Sequence, residues 1–324
     1  MMEPRKADTT VEHWIAEITA AKKREADYRK HGERILEIYE GKHKMPFNIL
    51  YSNTETLMPA LYSQQPVPVV QRRFKDEDPL GKAAALAGKR VLSFLLDTNL
   101  EEYDAFDDAM IAATLDAALP GRGNLAIQYR ATMGQYEAES PDAEPTEYVR
   151  QETVCCDILT WNRVYYGYAK KWSKVPWVAY EIFIDRAEAE RLFGRAVANR
   201  LVYTDVETNP NEDTKERDEA ADKRGEKHTT RIYQIWDKDG GRQIRYLSEQ
   251  LRDRFLKVED DPLHLSGFFN CPRPLQFLRK THSMTPTALY RLYEEQAEEL
   301  NELTRRLRKI MIGLKVRGIY DSAL

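Results

Sequence analysis

Apolar residues in the first forty positions are few and regularly placed. Trp14, Ile18, Ala21, Tyr28, Ile35 and Tyr39 recur at helical spacing through a charged segment that ends near Gly41. Thr9 stands three residues before Glu12, the spacing of a capping box, so a helix is expected to begin there. So sparse a stripe predicts a polar helix on a surface or against a neighbouring subunit, set apart as segment 1–41.

Positions 45–61 keep helical apolar spacing up to Pro59, and Pro66 and Pro68 alternating with Val67, Val69 and Val70 demand an extended 65–74. Two further helices are expected over 79–97 and 104–119. Pro120-Gly121-Arg122-Gly123 ends the second in a plain turn, and 124–130 alternates like a strand. Val, Ile, Tyr and Trp crowd 148–184, which predicts several strands with a turn near 170–175. Asp185 and Glu188 form another capping box, opening a short helix to about Asn199.

Segment 205–230 is almost purely charged and polar, which predicts a mobile loop. Strands at 231–236 and 242–247 flank Asp237-Lys238-Asp239-Gly240-Gly241, a hairpin turn whose glycines accept positive φ. A calcium loop is a poor reading of those aspartates, since the terminal Glu and further oxygen ligands are missing.

The strongest periodicity comes last. Leu289, Tyr293, Gln296, Leu300, Leu303, Leu307, Ile310 and Leu314 alternate spacings of four and three, an a/d seam. A single helix over 286–314 would be a rod of roughly 43 Å, and the chain holds no second heptad segment to pair with it. Its partner is expected to be another chain or a continuation of this one. Away from the seam, Glu294, Glu295, Glu298 and Glu302 precede Arg305, Arg308, Lys309 and Lys315, an order that complements the helix macrodipole. With Arg306 and Arg317 the basic end could instead meet phosphates or an acidic neighbour.

Composition narrows the class. The 324 residues are 42% hydrophobic, 10% aromatic and 31% charged, enough apolar material for a packed core. Forty-nine Lys and Arg against 53 Asp and Glu leave −4, so nucleic acid is not held by bulk positive charge. No apolar run approaches the roughly 20 residues of a membrane span. Met1 to Thr10 lacks the apolar core of a secretory signal, so a cytoplasmic origin is expected. Cys155, Cys156 and Cys271 form neither a disulfide framework nor a CxxC pair and read as packing residues.

Catalytic signatures are missing: the chain has no HExxH, GxSxG or Walker sequence, and no metal-ligand spacing of His and Cys. No cofactor or metal is expected. A metal–carboxylate enzyme acting on DNA could still be assembled from scattered acids such as Asp107-Asp108 and Glu259-Asp260-Asp261. A coiled-coil adaptor or scaffold using the last helix is the other alternative.

Several segments, in order, resemble the portal proteins of tailed bacteriophages, particularly the short-tailed ones. The early part is similar to the wing region of that family: 53–59, the Pro-Val segment, and 104–129 with its helix, glycine turn and strand. Trp172 to Ala179 and the helix ending at Phe193-Gly194 are similar too. More specific is the last third. Tyr233-Gln234-Ile235-Trp236-Asp237-Lys238 leads through Asp261-Pro262-Leu263 to Phe268-Phe269-Asn270-Cys271-Pro272-Arg273-Pro274-Leu275. Ser283, Pro286, Tyr293, Gln296, Glu299-Leu300-Asn301 and Leu303-Thr304-Arg305-Arg306 follow, and then Lys315-Val316-Arg317-Gly318-Ile319-Tyr320-Asp321. Cys271 departs from the small residue or proline expected at its place.

The resemblance implies an α+β fold, a portal-like wing of helices and antiparallel strands followed by a long stem-type helix. The expected divisions after residue 41 are a wing-like 42–204, the loop 205–230, a hairpin and Pro-rich 231–285, the stem-like 286–317, and the start of a clip at 318–324. The implied role is structural, without catalysis: a dodecameric ring at the capsid vertex of the virion, assembled in the host cytoplasm, with double-stranded DNA passing through its channel. Implied partners are other copies of the chain, the terminase large subunit, coat and scaffolding proteins, and tail adaptors; no membrane is involved. A chain stopping at Leu324 would lack the clip and the second stem helix and would count as truncated.

Overall fold

The computed structural model describes residues 10–43, 45–72, 78–97, 105–135, 147–204, 228–261, 264, 266–281 and 283–314. The fold is α+β. Helix α1 (Val11–Arg24) begins where the Thr10 hydroxyl accepts a hydrogen bond from the His13 amide, and α2 (Ala26–Tyr39) follows after a break at Glu25. Helices α3 (Ile49–Leu61), α4 (Pro79–Asp97) and α5 (Phe106–Ala118) come next. The bounds of α4 are those its apolar spacing predicts, and α3 runs two residues past Pro59. Among its described residues, 65–72, the proline-valine segment is neither helical nor strand-paired.

Strands β1 (Asn124–Gln135) and β2 (Glu147–Leu159) form a two-stranded antiparallel ribbon. A five-stranded antiparallel sheet then runs in chain order through β3 (Val164–Tyr166), β4 (Trp177–Ile184), β5 (Thr230–Asp237), β6 (Gln243–Leu247) and β7 (Lys257–Asp260). The β5–β6 hairpin turns through Gly241 at positive φ, as the Asp-Gly-Gly pattern predicts, while Gly240 is not at positive φ and Arg242, expected to open the strand, is in the turn at φ 57°. Between β4 and β5, Asp185 caps α6 (Arg186–Phe193) by accepting from the Glu188 amide. Gly194 at φ 82° divides α6 from α7 (Arg195–Ala198), so the expected single helix is two. The expected mobile loop falls almost wholly on 205–227, outside the described residues.

Apolar side chains cover the sheet on both faces, which is why β3 and β4 read as near-continuous hydrophobic runs without alternation. Tyr165, Trp177, Ala179, Tyr233 and Ile235 point one way, toward Trp14, Ile18 and Ala21 of α1. Val164, Val178, Tyr180 and Trp236 point the other way, toward Phe268 and Cys271. The sparse N-terminal stripe therefore lies inside the core, and the expectation of a surface helix is corrected. Few apolar residues suffice because Trp14, Ile18 and Ile35 are large and almost fully covered, each worth roughly 1.5–3 kcal/mol. A further cluster joins Ile35 and Ile38 of α2, Leu50 of α3 and Leu119 to Ala288, Tyr290 and Ala297.

Close backbone approach places the ribbon on α5. A Cβ on Gly123 would stand 1.9 Å from the Ala113 carbonyl oxygen, so only glycine lets the turn after α5 fold back onto that helix. Gly123 also exchanges backbone hydrogen bonds with Leu275.

Candidate functional site

The C-terminal helix is shorter than its heptad pattern. Residues Leu289–Leu292 form a 3₁₀ turn, and Tyr293 has φ −138°, outside helical geometry. Helix α8 spans Glu294–Gly313, about 30 Å at 1.5 Å per residue. The single rod over 286–314 is thus corrected: Pro286, Ala288 and Tyr290 are buried against the body, and that packing outweighs continuation of the helix.

The first two turns of α8 are anchored. Glu294 and Glu295 lie at its positive end. The buried Glu294 carboxylate meets Arg34 and Arg291, each at 3.1 Å, and His31 at 3.5 Å. Ala297 packs into the α2–α3 cluster. The Asn301 amide oxygen accepts from the Phe47 backbone N–H at 3.1 Å, while its nitrogen donates to the Ala297 carbonyl at 3.1 Å. Past Asn301 no residue of α8 is buried.

The predicted seam behaves accordingly. Leu289 and Tyr293 are half-buried before the helix begins and do not belong to its stripe. Gln296 is exposed in the first turns. Leu300, Leu303, Leu307, Ile310 and Leu314 are 40%, 53%, 59%, 59% and 72% exposed. At 100° per residue these five occupy a sector of about 80°, roughly 120° from the face that carries Ala297 and Asn301. The anchor and the apolar stripe are therefore different faces. A stripe of this size in water marks a contact surface.

Among the predicted basic residues, Arg306 pairs with Glu302 one turn earlier. Arg305, Arg308 and Lys309 are exposed, with Arg305 and Lys309 lying roughly opposite the stripe. Lys315 and Arg317 lie outside the described residues. A second apolar surface, not foreseen, runs along α4, where Leu80, Val91 and Phe94 are exposed and no residue is buried.

A charged centre inside the core also escapes sequence reading. Arg122, expected in a plain turn, is fully buried: Nη1 and Nη2 each donate to one oxygen of the buried Glu25 carboxylate at 2.9 Å. Nη1 also donates to the Tyr166 hydroxyl at 3.0 Å and Nη2 to the Trp161 carbonyl at 3.2 Å, while the guanidinium lies 5.1 Å from the Tyr28 ring centre. Burial pushes the Glu25 carboxyl up, but the Arg122 charge and the hydrogen bonds from Arg122 and Tyr166 hold it below the usual carboxylate range. Nearby, burial raises Asp116 to about 7, opposed only by a hydrogen bond from the Trp161 amide. A signal for Glu25 exists in the sequence: it occupies the position between Ala21 and Tyr28 where the helical stripe calls for an apolar residue. Arg122 has no comparable local signal.

Among the described residues, no group of three or more His, Cys, Asp or Glu comes together in a way that could hold a metal ion. No helix among them is long and apolar enough to cross a membrane. Cys155 and Cys271 are buried and Cys156 partly so. No protein-family model matches the chain, and a search of curated proteins finds no match.

Proposed function

We propose that this chain is a structural subunit of the portal ring of a tailed bacteriophage, forming the channel at the capsid vertex through which DNA is packaged and ejected. The observation that carries the reading is the division of labour on α8: one face anchored by Ala297 and Asn301, another left apolar from Leu300 to Leu314. A helix held in place yet unable to cover its own stripe is suited to packing against the same helix region of neighbouring copies. The ordered sequence resemblance to portal proteins supplies the identity of the assembly.

In such a ring Arg305, Arg308 and Lys309 sit off the subunit seam, available to DNA in the channel or to an acidic docking partner such as terminase or a tail adaptor. The overall −4 suits a channel that DNA must slide through, because each neutralised phosphate adds affinity. Sedimentation velocity and negative-stain microscopy of the purified full-length gene product test the proposal. Closed rings of identical copies are expected; a strictly monomeric protein at high concentration would sink it. The same stripe also favours a coiled-coil adaptor, which would stay monomeric until mixed with one specific heteromeric partner.

A further inference from the structure

Backbone strain in this protein is gathered in one place. Among the described residues, three that are not glycine have positive φ: Arg242 at 57°, His264 at 48° and Phe268 at 62°. Such a backbone crowds any L side chain, and for one as bulky as phenylalanine it is an outlier. Direct contacts join the three. The Arg242 guanidinium donates to Oδ2 of the buried Asp261, from Nε at 3.0 Å and from Nη2 at 2.7 Å, and lies 5.1 Å from the Phe268 ring centre. The other carboxylate oxygen, Oδ1, accepts from the His264 amide at 3.0 Å.

Phe268 carries the most strain. The Phe269 amide donates to the Gly267 carbonyl at 2.8 Å, which with positive φ at Phe268 makes the rare, strained form of the γ-turn. Its ring is nevertheless buried, edge-on to Trp236 with ring centres 5.4 Å apart. Strain of this kind persists only where the surroundings impose it. Here the seated ring and the Arg242–Asp261 clamp impose it. The chain that follows is a strap between the two sheets. The Asn270 side-chain nitrogen donates to the Tyr180 hydroxyl of β4 at 2.8 Å, and the Asn270 carbonyl accepts from the Ile127 amide of β1 at 2.9 Å. Leu275 exchanges backbone hydrogen bonds with Gly123 at 2.9 and 3.1 Å.

We propose that residues 267–275 are a strained latch with two positions. Seated, with Phe268 clamped by Arg242 and Asp261, the strap ties the ribbon to the five-stranded sheet. Released, Phe268 returns to negative φ, and the ribbon keeps its seat on α5 but loses its tie to the sheet. Relief of the strain offsets part of the cost of exposing the ring, so the released position lies closer in free energy than local unfolding of an unstrained strap. Arg242 is the accessible half of the clamp, its side chain 39% exposed against 6% for Asp261, so withdrawing Arg242 opens the latch. The device operates within one copy and stands apart from the ring reading.

Hydrogen exchange of the full chain, read by mass spectrometry with fragmentation to single amides, tests it. Arg242→Gln removes the clamp. It should speed exchange at the Phe269 and Leu275 amides, and with them at Ile127 and Gly123, by about tenfold or more, while amides within β4 and β5 change by less than about twofold. Acceleration confined to the strap, with Ile127 and Gly123 unchanged, would show that the strap does not tie the ribbon and would overturn the latch. Equal acceleration in β4 and β5 would make the strap part of the global core and overturn it too. Phe268→Gly and Phe268→Ala isolate the strain, since both remove the ring but only glycine adopts φ 62° without cost. The four amides should exchange about threefold more slowly in the glycine variant, against the usual order in which alanine stiffens the chain. Equal rates, or slower exchange in the alanine variant, would mean that Phe268 stores no strain and that no latch exists.

Discussion

Arg122 and Glu25, 97 positions apart in the chain, form a buried bidentate ion pair with both N–O distances at 2.9 Å. It joins the turn after α5 to the break between α1 and α2, and so ties the ribbon to the N-terminal helices. A buried charge that loses its partner is costly. Arg122→Met and Glu25→Gln should each lower unfolding free energy by about 3–5 kcal/mol in urea titrations. The pair Arg122→Met with Glu25→Leu should cost less than either single change. Single changes costing under about 1 kcal/mol would show that the pair is not a structural requirement.

Asp116 and Glu25 impose opposite pH dependences. Glu25 has a lowered carboxyl pKa in the folded state, so its contribution is present above its ordinary value of 4.5 and is lost as pH falls below it. Asp116 is raised from 3.8 to about 7, so between those values the unfolded chain gives up a proton that the folded chain keeps. Stability therefore falls as pH rises across that window. Asp116→Asn should flatten this fall, and its advantage over wild type should grow to about 1–3 kcal/mol above pH 7. Denaturant midpoints taken from pH 4 to 8 would show it, and parallel wild-type and variant curves would refute it.

Two glycine-to-alanine changes should have opposite signs. Gly123→Ala drives a Cβ into the Ala113 backbone carbonyl and should cost about 1–3 kcal/mol. Gly88→Ala, in the exposed helix α4, meets only a Val70 methyl group at 3.6 Å and should gain up to about 1 kcal/mol from helix propensity. Thermal unfolding of the two variants side by side decides the matter.

On α8, assembly and folding should separate by face. Leu303→Asp with Leu307→Asp alters side chains more than half exposed and should change monomer stability by no more than about 0.5 kcal/mol while reducing self-association. Asn301→Ala removes the acceptor of the Phe47 amide and should cost about 1–3 kcal/mol. Reversal of this pattern would mean that the leucine stripe belongs to the core of the monomer.

Local pattern carried much of this protein. The residue types of α4, α5, the ribbon strands and the β5–β6 hairpin, with its Asp-Gly-Gly turn, are legible because helix and strand periodicity and turn chemistry act over neighbouring positions. So is the apolar stripe from Leu300 to Leu314. Tertiary structure alone decided the rest. Whether the stripe of α1 faces solvent or core depends on the sheet formed some 150 residues later. Arg122 is a turn residue by its neighbours and a core residue by its partner Glu25, since only the partner offsets the cost of burying its charge. The heptad gave way at Tyr293 because packing of Ala288 and Tyr290 against α2 and α3 outweighs one more helical turn. Periodicity is a property of adjacent residues, whereas burial and pairing belong to residues that meet only when the chain folds.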